Sequence, residues 1–342
     1  MPDDNTPFNR VRNDQPLIEW IPNISTADVT AIGTIRRIFE AIPDLYHLHT
    51  DIGPEVNRTV FTLAGTMDSL KEALFSLMEW LAVNIDMSVH SGTHPRLGTL
   101  DVSPYVLLKS GNQEELLAWV ADLARELSQA YQYPVFLYEK SAKEARRANL
   151  ADIRRGEYEG LQAKLNDPFW KPDFGSVFNS RLGATVMGLR DFLIAYNVNL
   201  DTNDLRIAQT IAESIRSKGP ANRPDRLSGV KAIGWYLEPQ DICQVSTNIT
   251  ETRWTSPLDI FSKCRELSLR SQVGVTGSEL IGLIPYHAVA AMQQATGFST
   301  TRLTDYLGLE YCGITDLKER IIEHKVYLAS GKTIFNEIFD SK

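Results

Sequence analysis

Two histidines, His90 and His94, stand four residues apart in the stretch 84–105, with Arg96 just beyond them and Asp86 and Asp101 on either side. An imidazole titrates near neutral pH and can carry protons, and a guanidinium offers parallel N–H donors that match a carboxylate. The set therefore reads as a proton-transfer site beside an anion-binding cation. Gly92 and Gly98 permit left-handed backbone, while Pro95 fixes φ and removes a donor, so a rigid, irregular loop is predicted here rather than a continuing helix. A loop of that kind holds an imidazole in place. It also removes the helical geometry that would let His90 and His94 share a metal ion, and no metal site is expected. The plain alternative is that both histidines only hydrogen-bond to backbone.

Asp51 falls at a predicted strand end beside Gly53-Pro54, where its carboxylate could orient the imidazole, bind a substrate nitrogen or close an Asx turn. Arg58 and Arg96 suit bidentate pairing with substrate carboxylates; surface salt bridges are the ordinary alternative. These side chains need a scaffold, and the bulk sequence describes one. The chain has 342 residues, 43% hydrophobic and 23% charged, enough for two domains with a large core. A net charge of −8 and the lack of a lysine/arginine run argue against a nucleic-acid surface. Cys243, Cys264 and Cys312 fit neither a disulfide framework nor a zinc site, and read as buried thiols in a reducing cytosol. No signal peptide or membrane-length apolar run is present, so a cytoplasmic protein is expected. Residues 1–15 are polar and expected to be disordered.

The elements follow from hydrophobic period. A strand is predicted at Leu17–Ile21, then a helix capped by Ser25 or Thr26 with Ile32, Ile35, Phe39 and Ile42 inward. Strands at 45–50 and 60–64 precede a helix over 68–82 that buries Leu70, Leu74, Leu77 and Leu81. After the histidine loop come a strand at 101–108, a helix at 113–129 and a strand at 134–138. This β-α-β-β-α-β order with one further α-β is the split βαβ, ferredoxin-like pattern, with helices on one face and the other left for a ligand or partner. Residues 139–190 read as a connector, rich in charge and then in aromatics and proline, crossing the surface between two domains. The pattern restarts with a strand at 192–199, a helix at 204–216 ending at Gly219-Pro220, strands at 229–237 and 242–248, a helix at 257–271 and a strand at 273–275. Short helices are expected at 284–293, 301–307 and 316–324. The fold class is α+β, with two ferredoxin-like subdomains, 16–190 and 191–327, facing each other across a ligand cleft, and a tail over 328–342.

Four blocks carry a resemblance over about Glu19 to Glu323: Asp51-Ile52-Gly53-Pro54-Glu55-Val56-Asn57-Arg58-Thr59, the loop Asp86 to Asp101, Phe192 to Leu200, and Gly234-Trp235-Tyr236-Leu237. In these the sequence resembles the glutamate formiminotransferase family, whose animal members are fused to a cyclodeaminase. The length leaves no space for that second activity, which is expected to belong to another protein. The resemblance implies transfer of a formimino group from N-formiminoglutamate to N5 of tetrahydrofolate as co-substrate, two subdomains around a ligand tunnel, and a homodimer. It puts the catalytic histidine on His94 rather than His90; on residue chemistry Asp51 is a second catalytic candidate, and Asn57, Arg58, His90 and Arg96 are candidates for the amino-acid substrate. The folate-contacting segment falls on Gly175-Ser176-Val177-Phe178-Asn179-Ser180-Arg181-Leu182-Gly183. Arg181, Arg190 and Lys231 are candidates for the negatively charged (poly)glutamylated tail. This chain departs from the family pattern at Pro22-Asn23-Ile24-Ser25-Thr26-Ala27 and within 175–183. Two other activities fit the same residues: a formyl transfer between 5-formyltetrahydrofolate and glutamate, and a folate-binding protein without turnover.

Overall fold

The computed structural model describes residues 15–219 and 224–340. The polar start over 1–14, Pro220 and the last two residues of the expected tail lie outside the described residues. The chain divides into two compact units, Met1–Arg190 and Asp191–Lys342.

In the first unit the order is β1 (Leu17–Trp20), β2 (Asn23–Ile24), α1 (Val29–Glu40), β3 (Leu45–Gly53), β4 (Arg58–Gly65), α2 (Met67–Asn84), β5 (Leu100–Lys109), α3 (Gln113–Tyr131) and β6 (Val135–Leu137). It continues through α4 (Leu150–Arg154), α5 (Glu157–Leu165) and β7 (Thr185–Leu189). β1 and β2 form one line broken at Ile21-Pro22, inserted antiparallel between β4 and β5, and β3 pairs with β4 on the outside. Beyond β5 the sheet turns parallel, first to β7 and then to β6.

Side chains alternate across a strand, and the alternation separates the two faces. Ile18, Trp20, Phe61, Leu63 and Tyr105 point into one core with Ile35 and Phe39 of α1, Leu70 to Leu81 of α2 and Val120 to Leu127 of α3. Each fully buried leucine there contributes on the order of 1.5–3 kcal/mol. The opposite face is not wholly free, as the period alone suggested. Over β5, β7 and β6 it is covered by Ile153 of α4 and Leu161 of α5 packed on Val102, Phe136 and Val186. Residues 139–190 therefore do not cross between domains; they belong to the first unit and supply β7, a wholly buried strand.

The second unit runs β8 (Ile194–Leu200), α6 (Leu205–Ile215), β9 (Val230–Leu237), β10 (Ile242–Ile249), α7 (Pro257–Arg270) and β11 (Val275–Ile281). Four helices follow: α8 (Tyr286–Thr296), α9 (Thr300–Leu307), α10 (Ile322–Ala329) and α11 (Asn336–Phe339). Its sheet has the antiparallel order β11-β8-β10-β9. Tyr196, Val198, Val245 and Leu280 meet α6 and α7 on one face. α7 opens with a capping box between Ser256 and Asp259 and with Pro257 at its first position, a self-contained start signal. The last strand begins later and runs further than the expected 273–275, through Gly277 to Ile281.

Candidate functional site: the histidine loop and its clasp

The segment between α2 and β5 is an irregular loop, but neither Gly92 nor Gly98 takes the left-handed backbone expected of it; their missing Cβ instead lets Val56 O and Ala184 O approach closely. Asn57, at φ 48°, accepts from Ala27 N at 3.0 Å and donates to Ser91 O at 2.8 Å. It thereby ties the altered 22–27 segment to the loop. His90 Nε2 faces Asn57 O at 3.3 Å, and its Nδ1 accepts from Arg96 Nε at 3.4 Å. Both nitrogens of His90 are thus spent on holding the loop. Its pKa is lowered by burial.

Arg58 opens β4 on the face opposite Phe61 and Leu63, where Asp101 of β5 also points. The guanidinium pairs with the Asp101 carboxylate, which is wholly buried, and the same oxygen takes Arg154 of α4 at 2.5 Å. Asp101 also accepts from Leu97 N at 2.8 Å, at the loop's exit. Two guanidinium groups on one carboxylate leave a buried excess of positive charge. Burial, and then the charge of Arg154, hold Arg58 well below its ordinary value; burial brings Arg154 down to about 10.

His94 is half-buried against this cluster. Its Nδ1 lies 2.9 Å from Pro95 O, which can only accept, so we assign the proton to Nδ1 and the lone pair to Nε2. Arg58 Nη1 lies 3.1 Å from Nε2, toward which it donates, and 2.6 Å from Nδ1. With N–H groups on both sides, that shorter contact is no hydrogen bond. Burial, followed by the Arg58 charge, lowers His94 from 6.5 to about 4. At neutral pH it is therefore an uncharged imidazole, whose Nε2 lone pair takes a proton only when the Arg58 contact opens.

That electrostatic coupling can be checked directly. Arg58→Gln should move the His94 titration, followed by its ring-proton NMR shift, upward from about 4 toward 6.5. The neutral form is lost as pH falls through the pKa, so the acid limb of kcat/KM should move to higher pH by the same interval. An unmoved titration would rule out Arg58 as a source of the depression. Stability carries the matching sign: the unfolded chain takes up the proton first, so folding weakens as pH drops between those two values.

Arg96 is buried and forms the floor of a cavity of about 470 Å³ between the loop and the start of α5. Its Nη1 donates to Glu157 at 3.2 Å and to Glu159 at 2.9 Å, and its Nη2 to Glu159 at 2.6 Å and His90 O at 3.2 Å. Both arginines expected to take substrate carboxylates thus already hold carboxylates of the chain itself. Asp51 is placed differently from expectation. Among the described residues its partner is His49, at 3.0 Å, and not His94. Its other oxygen is buried without a partner. The strand register nevertheless sets Asp51 opposite Val60 and Gly53 opposite Arg58, so Asp51 and Arg58 share one sheet face as diagonal neighbours.

The expected folate segment lies directly on this loop. Met87 N donates to Arg181 O at 2.9 Å, Thr99 N to Leu182 O at 2.9 Å and Ala184 N to Leu97 O at 3.0 Å. Gly98 and Gly183 cross as an isolated bridge, and a Cβ on either would strike the carbonyl of Ala184 or Leu97. Asn179 folds the segment on itself by accepting from Leu182 N at 3.0 Å, while Gly175 takes φ 69° against Tyr133 O. Ser176 and Val177 are exposed, Phe178 packs beside Tyr158 at 5.9 Å, and Ser180 O accepts from Tyr158 at 2.6 Å. Arg181 is not free for a ligand tail: it caps the end of α2 through Ala82 O at 2.7 Å and Val83 O at 2.6 Å, and pairs with Asp86. Arg190 donates its backbone N–H to Tyr105 O at 2.9 Å at the unit's last strand, and Lys231 is exposed on β9 of the second unit.

Arg154, Glu157 and Glu159 escaped sequence reasoning because pairing across the fold has no local period. The one available signal was the charge of the 139–190 stretch. Among the described residues no group of three or more His, Cys, Asp or Glu side chains could hold a metal ion, and no helix is long and apolar enough to cross a membrane.

Comparison with known proteins agrees with these motifs. Residues 17–190 match the formiminotransferase domain, N-terminal subdomain, and residues 195–327 the formiminotransferase domain. Formimidoyltransferase-cyclodeaminase of Dictyostelium discoideum is 36% identical over 91% of this chain, which spans 60% of that relative's length. Glutamate formimidoyltransferase of Streptococcus pyogenes serotype M1 is 38% identical over 80% of this chain and 90% of its own. The enzyme of the same name from Thermoplasma acidophilum is 34% identical, covering 80% and 89%. With both halves of the domain matched and two relatives covered almost end to end, the chain belongs to the formiminotransferase family.

Proposed function

We propose that the protein transfers the formimino group of N-formimino-L-glutamate to N5 of tetrahydrofolate, giving 5-formiminotetrahydrofolate and glutamate, a step of histidine degradation that feeds one-carbon metabolism. The observation that carries this is the placement of His94 beside Arg58 on a loop whose two ends, Met87 and Thr99, are hydrogen-bonded to Arg181 and Leu182 of the 175–183 segment. Two relatives bearing the name glutamate formimidoyltransferase support the same reading.

The chemistry is addition and elimination at the formimino carbon. N5 attacks that carbon and a C–N bond forms; the new ammonium centre gives its proton to Nε2 of His94; the imidazolium returns a proton to the glutamate nitrogen as its C–N bond breaks. The pKa near 4 belongs to the site without substrate. Asp51 would bind a formimino N–H with its partnerless oxygen. Asn57, Arg58, His90 and Arg96 shape the amino-acid side, and 175–183 takes the folate.

The β-α-β-β-α-β order of each unit supports reading both as ferredoxin-like. Three free thiols support a reducing, cytoplasmic setting. The homodimer implied by the family belongs to the same proposal. A second reading is favoured by the buried positive excess of Arg58 and Arg154: an oxygen anion is stabilised beside them, as in transfer of a formyl group between 5-formyltetrahydrofolate and glutamate. Purified protein incubated with formiminoglutamate and tetrahydrofolate, with the 5-formimino product followed by absorbance, should turn over. Turnover with formyl compounds alone would favour the second reading, and folate binding without either product would refute both.

A further inference from the structure

We propose that Glu157 and Glu159 are internal occupants of the Arg96 guanidinium, displaced when the carboxylates of formiminoglutamate bind, so that they compete with the substrate for it and set its apparent affinity. The inference rests on the function proposed above and names the residues that set the affinity of its amino-acid subsite.

The two sides of the ion cluster are held very differently. The Arg96 side chain is 8% exposed and is anchored from behind by the carbonyl and Nδ1 of His90, so it stays with the loop. The carboxylates come in from solvent, on side chains that are 41% exposed for Glu157 and 64% for Glu159. Their backbone is held separately: Tyr158 between them donates to Ser180 O at 2.6 Å, and Leu161 is buried in the core. The exchange is therefore one of side chains, which swing between Arg96 and solvent while α5 stays in place.

The charge count shows why the exchange is feasible. Carboxylates leave the guanidinium and carboxylates arrive, so no N–H donor of the buried group is left unmatched, which would be costly. The cavity of about 470 Å³ is of the size that takes small ligands.

The test uses the full chain with Glu157→Gln/Glu159→Gln, with Glu157→Asp/Glu159→Asp as the variant that keeps the competing charges. Freeing Arg96 raises the fraction of sites ready for substrate. KM for formiminoglutamate should therefore fall about three- to tenfold in the Gln variant, with kcat and the tetrahydrofolate KM unchanged. The Asp variant should stay near the unsubstituted protein. By calorimetry, glutarate should bind about three- to tenfold more tightly to the Gln variant than to the unsubstituted protein. A raised KM would mean that the glutamates position Arg96 for substrate, and an unchanged KM and glutarate affinity that they do neither; each result overturns the proposal. If the unsubstituted protein neither turns over nor binds glutarate, the function reading itself fails. Turnover by the unsubstituted protein with the wrong response in the variant sinks the exchange alone.

Discussion

His94→Ala should lower kcat by about 10²–10⁴ while leaving the affinities for both substrates within a few-fold, the usual worth of a positioned acid/base group. The reasoning is local. His94 contacts Arg58 and the next residue's carbonyl, and it bridges no pair of secondary-structure elements on its own. The loop's own fastenings run through Asn57, His90, Arg96 and the Gly98–Gly183 crossing, and all survive the truncation. Holding two reactants together contributes more than proton transfer, about 7–11 kcal/mol, and that share remains in the variant. Steady-state kinetics with both substrates varied will decide, and added imidazole should restore part of the rate. A kcat within about fivefold of the unsubstituted enzyme would remove His94 from the mechanism.

Asp101→Ala should destabilise the first unit as much as truncating one of its large core side chains. Its carboxylate is the shared partner of Arg58 and Arg154 and also takes Leu97 N. Deleting it leaves two buried guanidinium groups facing each other without a counter-ion. Removing one side of a buried ion pair costs about 3–5 kcal/mol, because the remaining charge stays desolvated. At about 2–4 °C per kcal/mol for a unit of this size, the thermal midpoint should fall by roughly 6–20 °C. Asp101→Asn keeps an acceptor for Leu97 N and should fall less. A midpoint for Asp101→Ala within about 2 °C of the parent would show that water already screens the cluster.

Much of the framework could be read from periodicity, because most elements have a repeating apolar face that their own residues specify. α2 shows this best: Leu70, Leu74, Leu77 and Leu81 were expected inward and all are buried. Boundaries went astray where side chains serve distant partners. Ser25 and Thr26 looked like helix caps, yet Ser25 donates to Gly98 O at 2.7 Å and Asp28 caps α1 instead. β7 was invisible because five buried residues with a glycine have no alternation to detect. At the site, the interruption of the helix at the histidine loop was legible in Gly92, Pro95 and Gly98, although neither glycine takes positive φ. Partnership did not: the guanidinium and carboxylate groups that meet at Asp101 come from β4, β5 and α4, and nothing local in the sequence announces such a meeting.

The bridge at Gly98 and Gly183 leaves no layer of side chains between two stretches of backbone that are far apart in the chain. Backbone packed on backbone leaves no side chain there to repack, so the spacing between the imidazole loop and 175–183 is set by main-chain contacts. The first turn of α5 is tied to the same segment through Tyr158 and Ser180 O. Adjustment near Arg96 is thus left to two glutamate side chains that reach it from solvent.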